Sequence, residues 1–145
     1  MSIVGRSALV NHSAQQMFAL VGEVEAYPEF LPWCDKALVS DRGPGRTVAT
    51  LRINFHGLKQ EFTTENRDWP HDRIDMKLVS GPFRSLEGGW RFIPLSESAC
   101  KVELNLSYEF ASPLLDKLIG AVFDEIANSL VDAFAHRADE RFGVS

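Results

Sequence analysis

Histidine, cysteine and long apolar runs are all scarce in this chain of 145 residues, and each scarcity excludes a class of function. The four histidines, His12, His56, His71 and His136, include no pair four positions apart. No H-E-x-x-H occurs, and Cys34 and Cys100 form no C-x-x-C, so no metal site is expected. A G-x-S-x-G elbow is missing, and the glycines of RGPGR at 42–46 lack the G-K-[ST] of a phosphate-binding loop. No run approaches the roughly 18 apolar residues of a membrane-spanning helix. The opening MSIVGRSALV has one arginine and no apolar stretch of signal-peptide length, so a cytoplasmic protein with reduced, half-buried structural thiols is expected. Positive charge is also short: 15 Lys and Arg stand against 20 Asp and Glu, for a net charge of -5. That argues against broad neutralisation of nucleic-acid phosphates and leaves no reason to expect DNA as a partner.

What is present is an ordinary globular share of apolar residues, 45%, enough at this length to bury roughly two-thirds of the unfolded surface in one domain, residues 1–145. SIVGRSALV at 2–10 reads as a strand. A helix follows, with Ser13 as its cap and Gln16 completing a capping box. Next comes AYPEFLPWCD at 26–35, where Tyr27, Phe30, Leu31 and Trp33 crowd between Pro28 and Pro32. Two prolines at that spacing suit neither a regular helix nor a central strand. After the turn DRGPGR, successive stretches alternate apolar and polar residues: TVATLRINF, LKQEFTTEN, RIDMKLV, SLEGGWRFIPL and CKVELNLSYEF. Short turns between them, as at Gly57, WPHD and GPF, imply antiparallel pairing with one face in the core.

The period then changes. Ser112 and Pro113 are a cap and first-turn pair, and Leu115, Leu118, Ile119, Val122, Phe123, Ile126, Leu130 and Phe134 recur at helical spacing. Asp124, Asn128, Asp132 and Asp139 take the other side of this helix, which spans about 113–141. The fold class is therefore α+β: a curved antiparallel sheet of six to seven strands around a long C-terminal helix.

The inward faces are not uniformly apolar. Gln60, Thr64 and Asn66 share a side with Leu58 and Phe62, and Gly88 falls between Leu86 and Trp90, where a glycine would leave space. Apolar walls with a few polar groups describe a small-molecule pocket; a strand end reaching water describes the same pattern. A pocket would draw its lining from Phe55, Phe62, Leu86, Trp90, Leu106, Ile119, Val122, Phe123 and Ile126. The proline-broken segment, through Phe30 and Trp33, and the Phe83 turn in GPFR would close it, either as core plugs or as a gate. Titratable residues are absent from the inward positions, and Glu61 and Glu87 fall on the outward register, so no catalytic residues are expected. His12 and His71 fall in loops where histidines are commonly solvated. Arg137 shares the apolar helical face and is expected to pair with a carboxylate or the last carbonyls at an exposed helix end. Arg84 and Arg91, near the Phe83 turn, read as solvated surface charge.

Six motifs in order resemble one family: S-A-Q-Q-M-F at 13–18, V-E-A-Y-P-E-F-L-P-W-C at 24–34, G-L-K-Q-E-F-T-T-E-N at 57–66, G-P-F-R-S-L-E-G-G-W-R-F at 81–92, Y-E-F at 108–110 and A-F-A-H-R-A at 133–138. The chain resembles the coenzyme Q-binding START-like family, grouped with polyketide cyclase/dehydrase and lipid-transport domains, and its bacterial branch of ribosome association toxins. The resemblance implies a helix-grip fold and a non-catalytic site for an isoprenoid quinone, foremost ubiquinone, as a bound ligand with no further cofactor. It implies service to respiratory electron transport, with the inner-membrane surface as a peripheral partner. The toxin branch implies an alternative: binding the large ribosomal subunit and blocking subunit joining and translation.

Overall fold

The computed structural model describes residues 1–55 and 57–143; His56, Val144 and Ser145 lie outside the described residues. The chain runs β1 (Ser2–Val10), α1 (Ala14–Gly22), a 3-10 turn hereafter called the strap (Val24–Glu29), then β2 (Cys34–Gly43), β3 (Arg46–Phe55), β4 (Leu58–Trp69), β5 (Arg73–Ser80), β6 (Phe83–Ser96), β7 (Ala99–Phe110) and α2 (Pro113–Phe142). The strands form one antiparallel sheet in the order β1-β7-β6-β5-β4-β3-β2. Register shifts in the β2–β3, β4–β5 and β6–β7 pairings bend the ribbon, as bulges do. The sheet curves around α2.

Local chemistry explains the boundaries. Ser13 Oγ accepts from Gln16 N at 3.1 Å, and Gln16 Oε1 accepts from Ser13 N at 2.9 Å, so the capping box starts α1. Ser112 Oγ accepts from Leu115 N at 3.2 Å and Pro113 occupies the first turn of α2. Gly143, with φ 91, ends that helix. The buried stripe of α2 runs Ile119, Phe123, Ile126, Ala127, Val131, Phe134 and Ala138, and meets Leu104, Leu106, Trp90 and Tyr108 of the sheet.

Several expectations change. β2 is a seventh strand that the alternation did not reveal, and the expected turn at 41–46 narrows to residues 44–45. Leu118, placed on the apolar face by spacing, is 53% exposed, because the buried stripe passes through Ile119 on its neighbouring flank. Asp124 and Asn128 do not simply face water: the Tyr108 hydroxyl donates to Asp124, and Asn128 Oδ1 accepts from Arg6 Nε of β1 at 2.9 Å. Both cysteines are fully buried and free, and burial pushes the Cys100 thiol up to about 11. Gly88 does not leave room in the interior. A Cβ there would stand 2.0 Å from the Asn105 carbonyl oxygen, and its φ of 148 is open to glycine alone, so it permits close strand approach. Gly89 is as constrained, with a Cβ position 2.3 Å from the Ile74 carbonyl oxygen.

A candidate lipid cavity between the sheet and helix α2

The inner face of β3, β4, β5, β6 and β7 and the middle of α2 enclose a cavity of about 80 Å³. Period-2 alternation places Ala49, Leu51, Phe62, Thr64, Asn66, Met76, Leu86, Trp90 and Leu106 on its floor. Helical spacing places Phe123, Ile126, Ala127, Leu130 and Phe134 on its roof. Val24, Tyr27 and Trp33 close its side. The volume far exceeds what one water needs and is well below the roughly 300–1,000 Å³ typical of drug-sized ligand sites. A second cavity of about 50 Å³ adjoins it, sharing Val24, Tyr27, Asn66, Met76 and Trp90 and adding Phe18, Thr47 and Asp68. A small void of about 10 Å³ lies on the other side of Phe62 and Phe123, under Leu58, Pro82, Ile119 and Val122.

Of the residues expected to line a pocket, Phe62, Leu86, Trp90, Leu106, Phe123 and Ile126 meet at the main cavity, together with Trp33. Ile119, Val122 and Phe83 line the small void instead. Phe83 is the first residue of β6, buried in an aromatic cluster with Phe62, Phe110 and Phe123 at centroid distances of 5.8, 5.0 and 4.9 Å, and so belongs to a strand and not to a turn. Phe55 packs half-buried against the core, outside both linings. Phe30 also lies outside them, half-buried, with its ring edge-on to Phe134 at 5.1 Å.

The proline-broken segment is a wall. Leu31 and Trp33 are 1% and 8% exposed, and Trp33 O accepts from Asn54 N at 2.7 Å, which ties the segment to β3. Tyr27 turns inward, its hydroxyl donating to the Val21 carbonyl, and burial drives its pKa well above the ordinary tyrosine value. Three arginines grip the strap and the residue before it from outside: Arg137 of α2 reaches Glu29 at 2.9 Å, Arg141 reaches Glu23 at 2.6 Å, and Arg42 of β2 reaches Glu25 at 2.9 Å. Arg137 thus finds its carboxylate, with its guanidinium 5.0 Å over the Phe30 ring, though its Nε is buried without a partner. His12 is also corrected. It is 3% exposed, with Nε2 at 2.8 Å from Asp139 of α2, because the junction between β1 and α1 is roofed by the end of that helix.

The main cavity is lined by no charged side chain among the described residues, and its polar groups are Thr64, Asn66, Tyr27 and the indole N–H groups of Trp33 and Trp90. Thr64 Oγ1 donates to Asn66 Oδ1 at 2.8 Å. Tyr27, Leu130 and Phe134 were missed as lining by the sequence reading, although the helical spacing that flagged Ile126 runs on through both of the latter. Such a site can bind and orient; a neutral threonine, an asparagine and a tyrosine held in its protonated form are poor proton carriers at neutral pH.

Residues 10–135 match the model of the polyketide cyclase / dehydrase and lipid transport family. The chain belongs to that family. It is 46% identical over 143 residues, 99% of each chain, to the ribosome association toxin RatA of Vibrio cholerae serotype O1. It is also similar to the mitochondrial coenzyme Q-binding protein COQ10 homolog B of Xenopus laevis, 31% identical over 94% of this chain and 58% of that one. Among solved structures, the Zhui aromatase/cyclase from Streptomyces sp. R1128 superposes with a TM-score of 0.84 over 97% of this chain and 95% of that one, at 17% identity, a likeness of fold. Among the described residues no helix is long and apolar enough to cross a membrane.

Proposed function

We propose that this family member binds a neutral, hydrophobic lipid, an isoprenoid quinone such as ubiquinone, between the sheet and α2 without transforming it, in support of respiratory electron transport. The observation that carries the reading is a cavity with apolar walls, uncharged polar groups and no free acid or base. The coenzyme Q-binding name of the Xenopus relative supports the choice of ligand. In this reading the head group occupies the main cavity; an isoprenoid tail needs more length, and the way to it runs past the contact of Phe62 with Phe123, 6.0 Å between centroids, toward the void under Leu58 and Val122. Membrane contact during exchange of the lipid belongs to the same proposal. Organic-solvent extraction of the protein purified from its native cell, followed by mass spectrometry, tests it: a quinone near stoichiometric amount is expected, and repeated extraction without any lipid contradicts the reading.

A second reading has its own support, the name of the Vibrio relative. In it the protein associates in the cytoplasm with the large ribosomal subunit and hinders subunit joining. It uses the outer surface where the first uses the interior, so the two are compatible. Gradient sedimentation of cell extract separates them: the second expects the protein with free large subunits, and its absence from those fractions removes that reading alone.

A further inference from the structure

Beside the indole N–H groups of Trp33 and Trp90, the polar corner of the cavity has an amide with donors to spare. Tyr27 spends its hydroxyl proton on the Val21 carbonyl, and Thr64 spends its own on Asn66 Oδ1. Asn66 therefore has its acceptor engaged, while its Nδ2 amide, with two N–H groups, makes no hydrogen bond to any described residue. Asn66 lines both the main cavity and the adjoining one, and stands opposite Thr47 on β3 and Met76 on β5, on the inward face. Thr64 is 6% exposed, so the group that orients the amide is itself fixed in the core. No cation lies in either lining, and the one charge is the carboxylate of Asp68 at the adjoining cavity.

We infer that Asn66 reads the head of the bound lipid: its Nδ2 donates to a carbonyl oxygen, with Thr64 holding the amide in that orientation. The ligand class that fits is a neutral head bearing hydrogen-bond acceptors. A carboxylate or phosphate head would enter without a cation to meet it and with Asp68 nearby, at an electrostatic penalty. An oxidised quinone head, which only accepts, matches Nδ2. Its reduced form accepts from Nδ2 through a hydroxyl oxygen but leaves that hydroxyl's proton to find an acceptor. Offering Oδ1 to it requires the amide to turn over and the Thr64 bond to reverse, with Nδ2 then donating to Oγ1. The site should thus discriminate redox states of one lipid through a single oriented amide. This rests on the proposal that the cavity holds a lipid.

Calorimetric titration under anaerobic conditions tests it, with three probes sharing a ten-carbon tail: a benzoquinone, its quinol and decanoate. The wild-type protein should bind the quinone about tenfold or more tighter than either of the others, as one well-placed hydrogen bond decides. Asn66→Leu should lose that margin. Asn66→Asp, which supplies acceptors only, should reverse the order of quinone and quinol, and Thr64→Val should narrow the preference with the fold retained. If the wild-type protein binds none of the probes, the lipid proposal falls and this inference with it. If it binds the quinone but shows no preference over the quinol, or if Asn66→Asp and Thr64→Val leave the preference unchanged, the role of Asn66 alone is overturned. Should Asn66→Leu fail to fold, the other two variants decide.

Discussion

The strap closes one side of the main cavity, while the small void beyond Phe62 and Phe123 lies under a tip formed by Leu58, Pro82 and the N-terminal part of α2, and the two ends are built on opposite principles. The strap, taken with the residues that continue it as far as Trp33, is closed by burial. Trp33 and Leu31 enter the core, and an arginine holds each of Glu23, Glu25 and Glu29. The tip keeps apolar surface in water: Leu58, Leu114 and Leu118 are 37%, 64% and 53% exposed, beside a void of about 10 Å³, room for one water at most. Aromatic content in a proline-broken segment is thus no sign of exposure. Prolines remove backbone donors, and the 3-10 turn they permit can still drive its rings inward. Of the gate and plug readings of that segment, the coordinates favour the plug.

The largest expected effect tests that contrast at its strongest point. Trp33→Ala should cost about 3–5 kcal/mol, measured as the change in urea unfolding free energy, as for other buried aromatics. A loss below about 1 kcal/mol would mean that the strap is not core. Within α2, adjacent residues sharpen the contrast. Ile119→Ala should cost about 2–4 kcal/mol, while Leu118→Ser should stay within about 0.5 kcal/mol. Equal effects would show that the tip is packed like the strap. The ion pairs come next. Glu29 is largely exposed, so a double-mutant cycle of Glu29→Gln with Arg137→Met should give a coupling of about 0.2–1 kcal/mol, shrinking in high salt.

The smallest effect is in acid. Hydrogen bonding to Arg42 holds Glu25 below its ordinary 4.5, and Arg46 does the same for Glu65. A depressed carboxylate pKa contributes stability that is present above the unfolded value and lost as pH falls through the folded one. The melting temperature should therefore decline below about pH 4.5, and Arg42→Met should flatten part of that decline.

How much of this was legible in sequence depended on period. α2 was read to within a residue because its apolar spacing persists for several turns, and β3 to β7 because each alternates. β2 escaped because it is an edge strand carrying Asp35, Lys36, Ser40, Asp41 and Arg42, with too few apolar residues to alternate. Thr64 and Asn66 could be placed on the inner face by counting in twos, but their bond to one another could not. The pairs Arg137–Glu29 and His12–Asp139 join residues more than a hundred positions apart, which no local pattern encodes. Gly88 was misread because a glycine opposite a backbone and a glycine beside a void look the same in sequence.

The claim on which the functional account rests is that a lipid head enters between the sheet and α2, and the protein carries its own reporters. Trp33 and Trp90 line the cavity, whereas Trp69 is exposed beneath the guanidinium of Arg73 at 3.8 Å. In a Trp69→Phe background, titration with a short-tailed benzoquinone should quench the remaining tryptophan fluorescence saturably, at one equivalent. Quenching that rises linearly without saturation, or that vanishes once Trp69 is removed, would contradict the account.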